Sequence, residues 1–176
     1  MVTLKNELVK LRALEPEDLE YLFSVENDEE FWEISHTNKP FSRKVLQQYL
    51  KNDHHDIYVV KQQRFVICSY QDDILGFIDL FDFNPKHKRA GVGILLVNKE
   101  DRGKGYGKQA LTLVLNYCFE RLDLHQVYAN IAEDNHISRT LFKSCGFKEI
   151  GIKKDWNFHQ GVYHNELIVQ HIHHVS

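Results

Sequence analysis

Chemistry in this chain concentrates at Arg102-Gly103-Lys104-Gly105-Tyr106-Gly107. Three glycines alternate with larger residues there. Just upstream, Ile94-Leu95-Leu96-Val97 reads as a buried strand; downstream, Leu111, Val114, Leu115, Cys118 and Leu122 recur at helical spacing. A strand that ends in a glycine-rich loop and opens a helix makes an anion site. Glycine lets the backbone approach a ligand closely, and the unpaired amides of the first helical turn point at it with the helix dipole behind them. A phosphate or pyrophosphate is the expected guest. A tight turn that needs glycine only for its backbone angles is the competing reading, and three glycines at this spacing favour the anion. Two familiar phosphate loops are excluded. Gly107-Lys108 is followed by Gln109, with no glycine five positions before Gly107, so the P-loop pattern is broken. The G-x-G-x-G spacing also differs from the G-x-G-x-x-G dinucleotide fingerprint.

Other reactive side chains are scattered. Eleven histidines invite a metal reading, but the clusters at His54-His55 and at His171, His173 and His174 lack zinc-ligand spacing. Solvated or partly packed histidines are expected, and no metal. Cys68, Cys118 and Cys145 form an odd, dispersed set in apolar or helical contexts. Buried thiols in a reducing cytoplasm are the expected reading.

The elements that must position the loop follow from periodicity. Val9 and Leu11 alternate with Lys10 and Arg12 as a first strand. Pro16, with Glu17 and Asp18 behind it, opens a helix carrying Leu19, Leu22 and Phe23. The aromatic stretch 31–41 reads as irregular. Ser42 caps a second helix carrying Val45, Leu46, Tyr49 and Leu50. Stretches 58–70, 74–83 and 89–97 form a three-stranded antiparallel meander, with turns at Gln71-Asp72-Asp73 and Asn84-Pro85-Lys86-His87. Within it Leu75 and Phe77 are expected on one face, joined by Asp79 and Phe81, with Ile78, Leu80 and Asp82 on the other. The strand, the glycine loop, the long helix and a strand at Val127, Ala129 and Ile131 make a right-handed parallel crossover. A short helix with Ile137, Leu141 and Phe142 ends at Gly146, and a hairpin turned at His159-Gln160-Gly161 closes the chain. The expected fold is a mixed α/β (α+β) sheet of six or seven mostly antiparallel strands with about four helices, in one domain over 1–176.

Composition excludes several classes. At 176 residues and 43% apolar content the chain can bury a proper core. The net charge of −3 argues against a general nucleic-acid binder. No apolar run approaches membrane-spanning length, and Met-Val-Thr-Leu-Lys-Asn-Glu has no signal-peptide core.

In this order the chain resembles the GNAT family of acetyl-CoA-dependent N-acetyltransferases. Arg102-x-x-Gly105-x-Gly107 is similar to the family's R/Q-x-x-G-x-G/A motif. Asn135-His136-Ile137-Ser138, followed by Cys145-Gly146-Phe147, resembles its second motif. Within the family, Gly76-Phe77-Ile78-Asp79-Leu80-Phe81-Asp82-Phe83-Asn84 looks like the spermidine/diamine acetyltransferases, which carry acidic residues at the positions of Asp79 and Asp82. Asn135 with Ser138 looks as much like the ribosomal-protein N-terminal acetyltransferases. Two positions depart. Phe142 stands where many members have a tyrosine taken as the proton donor to the leaving thiolate, and Gly91 stands where the polyamine enzymes have a glutamate.

The resemblance implies acetyl transfer from acetyl-CoA to a primary amine, a polyamine, diamine or other small amine, by direct attack. A protein N-terminus as acceptor and a catalytically impaired acyl-CoA-binding domain are the alternatives. It implies that the backbone of Leu95, Leu96 and Val97 pairs with the pantetheine arm. The amides of Arg102, Gly103, Lys104, Gly105, Tyr106, Gly107 and Lys108 would hold the pyrophosphate, and Asn135 would touch the arm. Ser138 is the candidate to replace the missing tyrosine, although a hydroxyl that only opens a helix is an equally ordinary reading. An alkyl ammonium, with a pKa near about 10.4, must lose a proton before it attacks. Asp79 and Asp82 are the candidates to bind it, and Asp79 the candidate to deprotonate it. The number of copies in the active form is left open, self-association included.

Overall fold

The computed structural model describes residues 2–174. Seven strands form one sheet in the order β1-β2-β3-β4-β5-β7-β6. They are β1 (Val9–Arg12), β2 (Gln63–Ser69), β3 (Ile74–Asn84), β4 (Arg89–Leu96), β5 (Gln126–Ala132), β6 (Lys148–His159) and β7 (Val162–Ile172). All neighbours are antiparallel except β4 and β5. The helices are α1 (Leu19–Glu26), α2 (Glu29–Ser35), α3 (Arg43–Asn52), α4 (Ile57–Val60), α5 (Tyr106–Asn116) and α6 (His136–Ser144).

Alternation along the strands sends side chains into two apolar layers. Phe65 and Ile67 of β2 pack with α5, while Val66 and Cys68 pack with Leu22, Phe31 and Leu46 of α1, α2 and α3. Helices α5 and α6 therefore cover one face of the sheet, and α1 to α3 cover part of the other. The parallel pairing of β4 with β5 confirms the crossover, and α5 supplies its buried Ala110, Leu111, Leu113 and Val114 to the larger core.

Four expectations are corrected. The aromatic stretch 31–41 holds a helix, α2, because Asp28 caps the amide of Glu30 and Phe31 buries its side chain. Residues 57–60 form a short helix rather than the start of a strand, because Asp56 caps the amide of Tyr58. The helices therefore number six among the described residues, not about four. Leu75 also faces the α5 layer whereas Phe77 faces the other, because a register shift in the β2–β3 pairing at Ile67/Cys68 breaks strict alternation.

Beside the first helical turn, buried Asp18 accepts hydrogen bonds from both terminal nitrogens of Arg12 at 2.8 and 2.9 Å and from the Glu15 amide at 2.8 Å. Burial pushes the Asp18 pKa up. The Arg12 and Glu15 hydrogen bonds and the Arg12 charge together outweigh it, and the carboxyl ends below its usual value. A folded-state pKa below the unfolded one, about 3.9, stabilises at neutral pH. That contribution is lost as pH falls through the folded-state value. Asp18→Asn should therefore cost about 2 kcal/mol at pH 7. Urea unfolding of both proteins should show the gap narrowing as pH drops below about 4.

Candidate active site

The glycine loop is built as an anion cradle. Gly103 and Gly105 have φ of +75° and +87°, which a side chain tolerates poorly. Gly105 caps α5 with no side-chain partner for its amides, and the first intrahelical bond is donated by Gln109 to the Gly105 carbonyl. The amides of Gly105, Tyr106, Gly107 and Lys108 are thus the free donors of the first turn. Gly107 is buried for a packing reason, since an added Cβ would lie 3.3 Å from Leu141 and 3.7 Å from Leu96. Arg102, Lys104 and Lys108 are exposed around the loop. Lys104 stands 3.9 Å from Asp101, and Arg102 reaches the Leu96 carbonyl at 3.4 Å.

Below the loop the sheet forks. Strands β4 and β5 pair only over residues 89–91 and 126–128. Beyond Gly91, β4 keeps only β3 as a partner, and beyond Tyr128, β5 keeps only β7. Leu95, Leu96 and Val97 lie on this fork and are half-buried, with the Val97 amide bonded to the Leu75 carbonyl. The open edge of β4 offers unpaired peptide groups to an extended ligand.

On the sheet face away from α5, β2 and β3, next to the forked strand β4, carry an acidic cluster. Asp79 is held by Arg64, with Nε at 2.7 Å and Nη2 at 2.8 Å on its two oxygens, while Nη1 of Arg64 reaches Glu26 at 2.7 Å. Burial opposes the charge of Arg64, but the charge and hydrogen bonds of Asp79 hold it firmly protonated. Asp53 lies nearby. Burial raises its pKa most, the Asp79 charge adds to this, and Arg64 opposes it. Tyr49, Asp53, Arg64, Asp79 and Phe81 line part of a cavity of about 780 Å³.

Asp82 sits on a bulge, with φ +48° and a register shift between Phe81 and Asn84. Phe83 takes the core-facing place expected for Asp82, and Asp82 turns to accept a 2.9 Å hydrogen bond from Tyr128. Tyr128 alternates with the core residues Val127 and Ala129, so it lies on the Phe81 face. The expectation that Asp79 and Asp82 face opposite sides is therefore corrected by one inserted residue.

Asn135 caps α6, its Oδ1 accepting from the Ser138 amide at 3.1 Å. Both residues are half-buried. Across the open side of the sheet, His159 at the hairpin tip meets Glu33 of α2 at 2.8 Å.

A family model described as acetyltransferase (GNAT) domain matches residues 9–148. The chain belongs to the GNAT family. A spermidine N(1)-acetyltransferase of Vibrio cholerae serotype O1 is 29% identical over 161 residues, 90% of this chain and 89% of that protein. A putative ribosomal N-acetyltransferase of Bacillus subtilis is 27% identical over 164 residues, 91% and 88% of the two chains. Among solved structures, Vibrio cholerae spermidine N-acetyltransferase in complex with CoA and spermine superposes with a TM-score of 0.84 at 26% identity, covering 95% of this chain and 96% of that one.

As a GNAT domain the protein is an acetyltransferase whose cosubstrate is acetyl-CoA. The loop and the open β4 edge fit that cosubstrate: free amides and exposed cations for the pyrophosphate, and a half-paired strand for the pantetheine arm.

Both departures from the family pattern have packing reasons. Phe142 is 3% exposed and packs edge-on against Phe147 at 5.0 Å, inside the α5–α6 core. At Gly91, an added Cβ would lie 2.3 to 2.8 Å from carbons of the Phe81 ring. Sequence reasoning missed Arg64 and Glu26. The available signal was an arginine directly before the apolar run Phe65-Val66-Ile67, a place that calls for a carboxylate partner.

Buried thiols are seen at Cys68 and Cys118, the latter pushed up to about 12 by burial, and Cys145 is half-buried. No group of His, Cys, Asp or Glu among the described residues is placed to hold a metal ion. No helix among them is long and apolar enough to cross a membrane.

Proposed function

We propose that this GNAT protein acetylates a small polycationic amine of the spermidine type by direct attack on acetyl-CoA. One observation carries the reading: beside the fork, Glu26 and Asp79 both bind the guanidinium of Arg64, Asp53 lies within reach of its charge, and Asp82 stands apart from it. That surplus of carboxylates matches a ligand with several ammonium groups. The likeness to spermidine acetyltransferases supports the same class.

In this reading the amides of residues 102–108 bind the pyrophosphate, Leu95, Leu96 and Val97 pair with the pantetheine arm, and Asn135 borders it. Asp79, with both oxygens on Arg64, supplies negative potential toward the amine, and Asp82 contacts it. The bound amine loses a proton to a carboxylate or water, then its nitrogen attacks the thioester carbonyl. The tetrahedral oxyanion takes an amide of β4, and the C–S bond breaks. Ser138 is the half-buried hydroxyl at the start of α6, where it serves the departing thiolate. Holding the two reactants together supplies much of the acceleration.

Phe142 favours a second reading, an acyl-CoA-binding domain without turnover, because a phenyl ring has no proton to give. A protein N-terminus remains the alternative acceptor. Thiol release should be measured with acetyl-CoA against spermidine, spermine, putrescine and peptides with free N-termini, with products weighed by mass spectrometry. Acetylated spermidine or spermine, with peptides unreacted, is the expected result. Acetylated peptides without acetylated polyamines would reject the substrate assignment. Cofactor binding with no thiol release from any amine would establish the second reading.

A further inference from the structure

At the apex of the fork the side chains of Phe81, Tyr128 and Asp82 meet. Phe81 lies opposite Gly91 in the β3–β4 register, and its ring fills the volume a side chain at 91 would need. Tyr128, paired with Gly91 on the other side, meets the Phe81 ring edge-on at 5.8 Å. The Tyr128 hydroxyl donates to Asp82 at 2.9 Å. An aromatic ring over a cross-strand glycine is an ordinary way to stabilise a sheet. It does not account for the bulge. Asp82 holds a positive φ, at a cost of roughly 1 kcal/mol or more, and the result is that its carboxylate meets Tyr128 on the ring's side of the sheet. Bulges beside active sites re-aim side chains in this way.

The apex also lies at the right depth. The pantetheine arm has about twelve bonds between phosphate and sulfur, the backbone length of four extended residues, or roughly 13–14 Å. Laid along β4 from Val97, it brings the sulfur level with Gly93, two residues from Gly91. The thioester then lies level with Asp79, two residues, roughly 7 Å, from the row of Phe81, Gly91 and Tyr128, a span an acceptor amine can fill.

We propose that Phe81, Tyr128 and Asp82 form the seat of the acceptor's reactive ammonium, with the Phe81 ring filling the space a side chain at position 91 would take, and with Tyr128 relaying the ammonium proton to Asp82. This rests on the reading of the protein as an amine acetyltransferase. The ring face and the carboxylate attract the ammonium. The Tyr128 oxygen accepts one N–H proton while its own proton passes to Asp82, so the tyrosine stays neutral and Asp82 becomes protonated. The freed lone pair forms the C–N bond as the C–S bond breaks. The second N–H proton ends on the CoA thiol, and Asp82 returns the first to solvent. Because Phe81 and Gly91 exclude each other's side chains, the pair acts as a specificity switch between a ring and a carboxylate.

The test compares wild type with Tyr128→Phe, Phe81→Leu, Gly91→Glu, and Gly91→Glu combined with Phe81→Ala. Thiol release with spermidine is followed at saturating acetyl-CoA, and CoA affinity is measured by calorimetry. Tyr128→Phe keeps the ring packing, so it should lower kcat at least tenfold with CoA affinity within twofold of wild type. Phe81→Leu should raise the spermidine KM at least fivefold with little change in kcat. Gly91→Glu alone should lose acceptor binding, and adding Phe81→Ala should bring the spermidine KM back to within about threefold of wild type. Wild-type turnover with kcat and KM unmoved in Tyr128→Phe and Phe81→Leu overturns the seat and leaves the acetyltransferase reading standing. Wild-type protein that binds CoA yet releases no thiol with any amine overturns both.

Discussion

Valine in place of Gly105 should weaken coenzyme A binding at least tenfold while the domain stays folded. Gly105 has φ +87° and ψ −3° and forms the cap of α5. A β-branched residue there is a true outlier, at a cost of roughly 1–2 kcal/mol. The loop is exposed, and an added Cβ meets only the flexible end of Leu8 at 3.6 Å. The strain is therefore relieved by turning the peptide rather than by disturbing the core. Turning it re-aims the amides of residues 105–108 away from the pyrophosphate. One lost or misdirected charge-assisted hydrogen bond, about 1.5–3 kcal/mol, already amounts to tenfold or more. Calorimetry with CoA reads the affinity, and a thermal melt without ligand reads the fold. Unchanged affinity would place the diphosphate somewhere other than the start of α5.

Arg64→Met should be among the most damaging polar substitutions, at about 3 kcal/mol of stability. Arg64 is 21% exposed in its side chain and binds Glu26 and Asp79, themselves 17% and 34% exposed. Its guanidinium also lies 4.8 Å from the centre of the Phe77 ring. Methionine preserves most of the packing but leaves two half-buried carboxylates facing one another without a cation. Partial solvent access keeps the loss at the low end of the range for broken buried pairs. Adding Glu26→Gln and Asp79→Asn to Arg64→Met should recover most of the deficit, because the cost lies in the stranded charges. Urea unfolding of the three proteins decides this. A single variant as stable as wild type would show that the cluster is solvated and electrostatically idle.

The identity of each departure is read from one residue, but its reason lies in another. The tyrosine missing at 142 and the glutamate missing at 91 are visible in the chain. That Phe142 is a core residue packed on Phe147, and that Gly91 makes room for Phe81, required strands and helices in place. Likewise α2 was obscured by its aromatic content. Phe31, Trp32 and Phe41 carry no helical stripe, and only the Asp28 cap and the burial of Phe31 decide the segment.

What the sequence determined by itself was local and periodic. The glycine loop, the cap at Ser42, the turns, the meander and the β4–α5–β5 crossover all follow from neighbours within a few residues, so spacing alone carries them. Tertiary structure decided what depends on register and on contacts far apart in the chain. One inserted residue at Asp82 reverses which way a carboxylate faces, and a parallel pairing that stops at Gly91 opens the fork. Arg64 meets Glu26 across 38 positions. Strand alternation has a period of two, so a single bulge flips everything beyond it, and no local window of sequence records where the ladder slips.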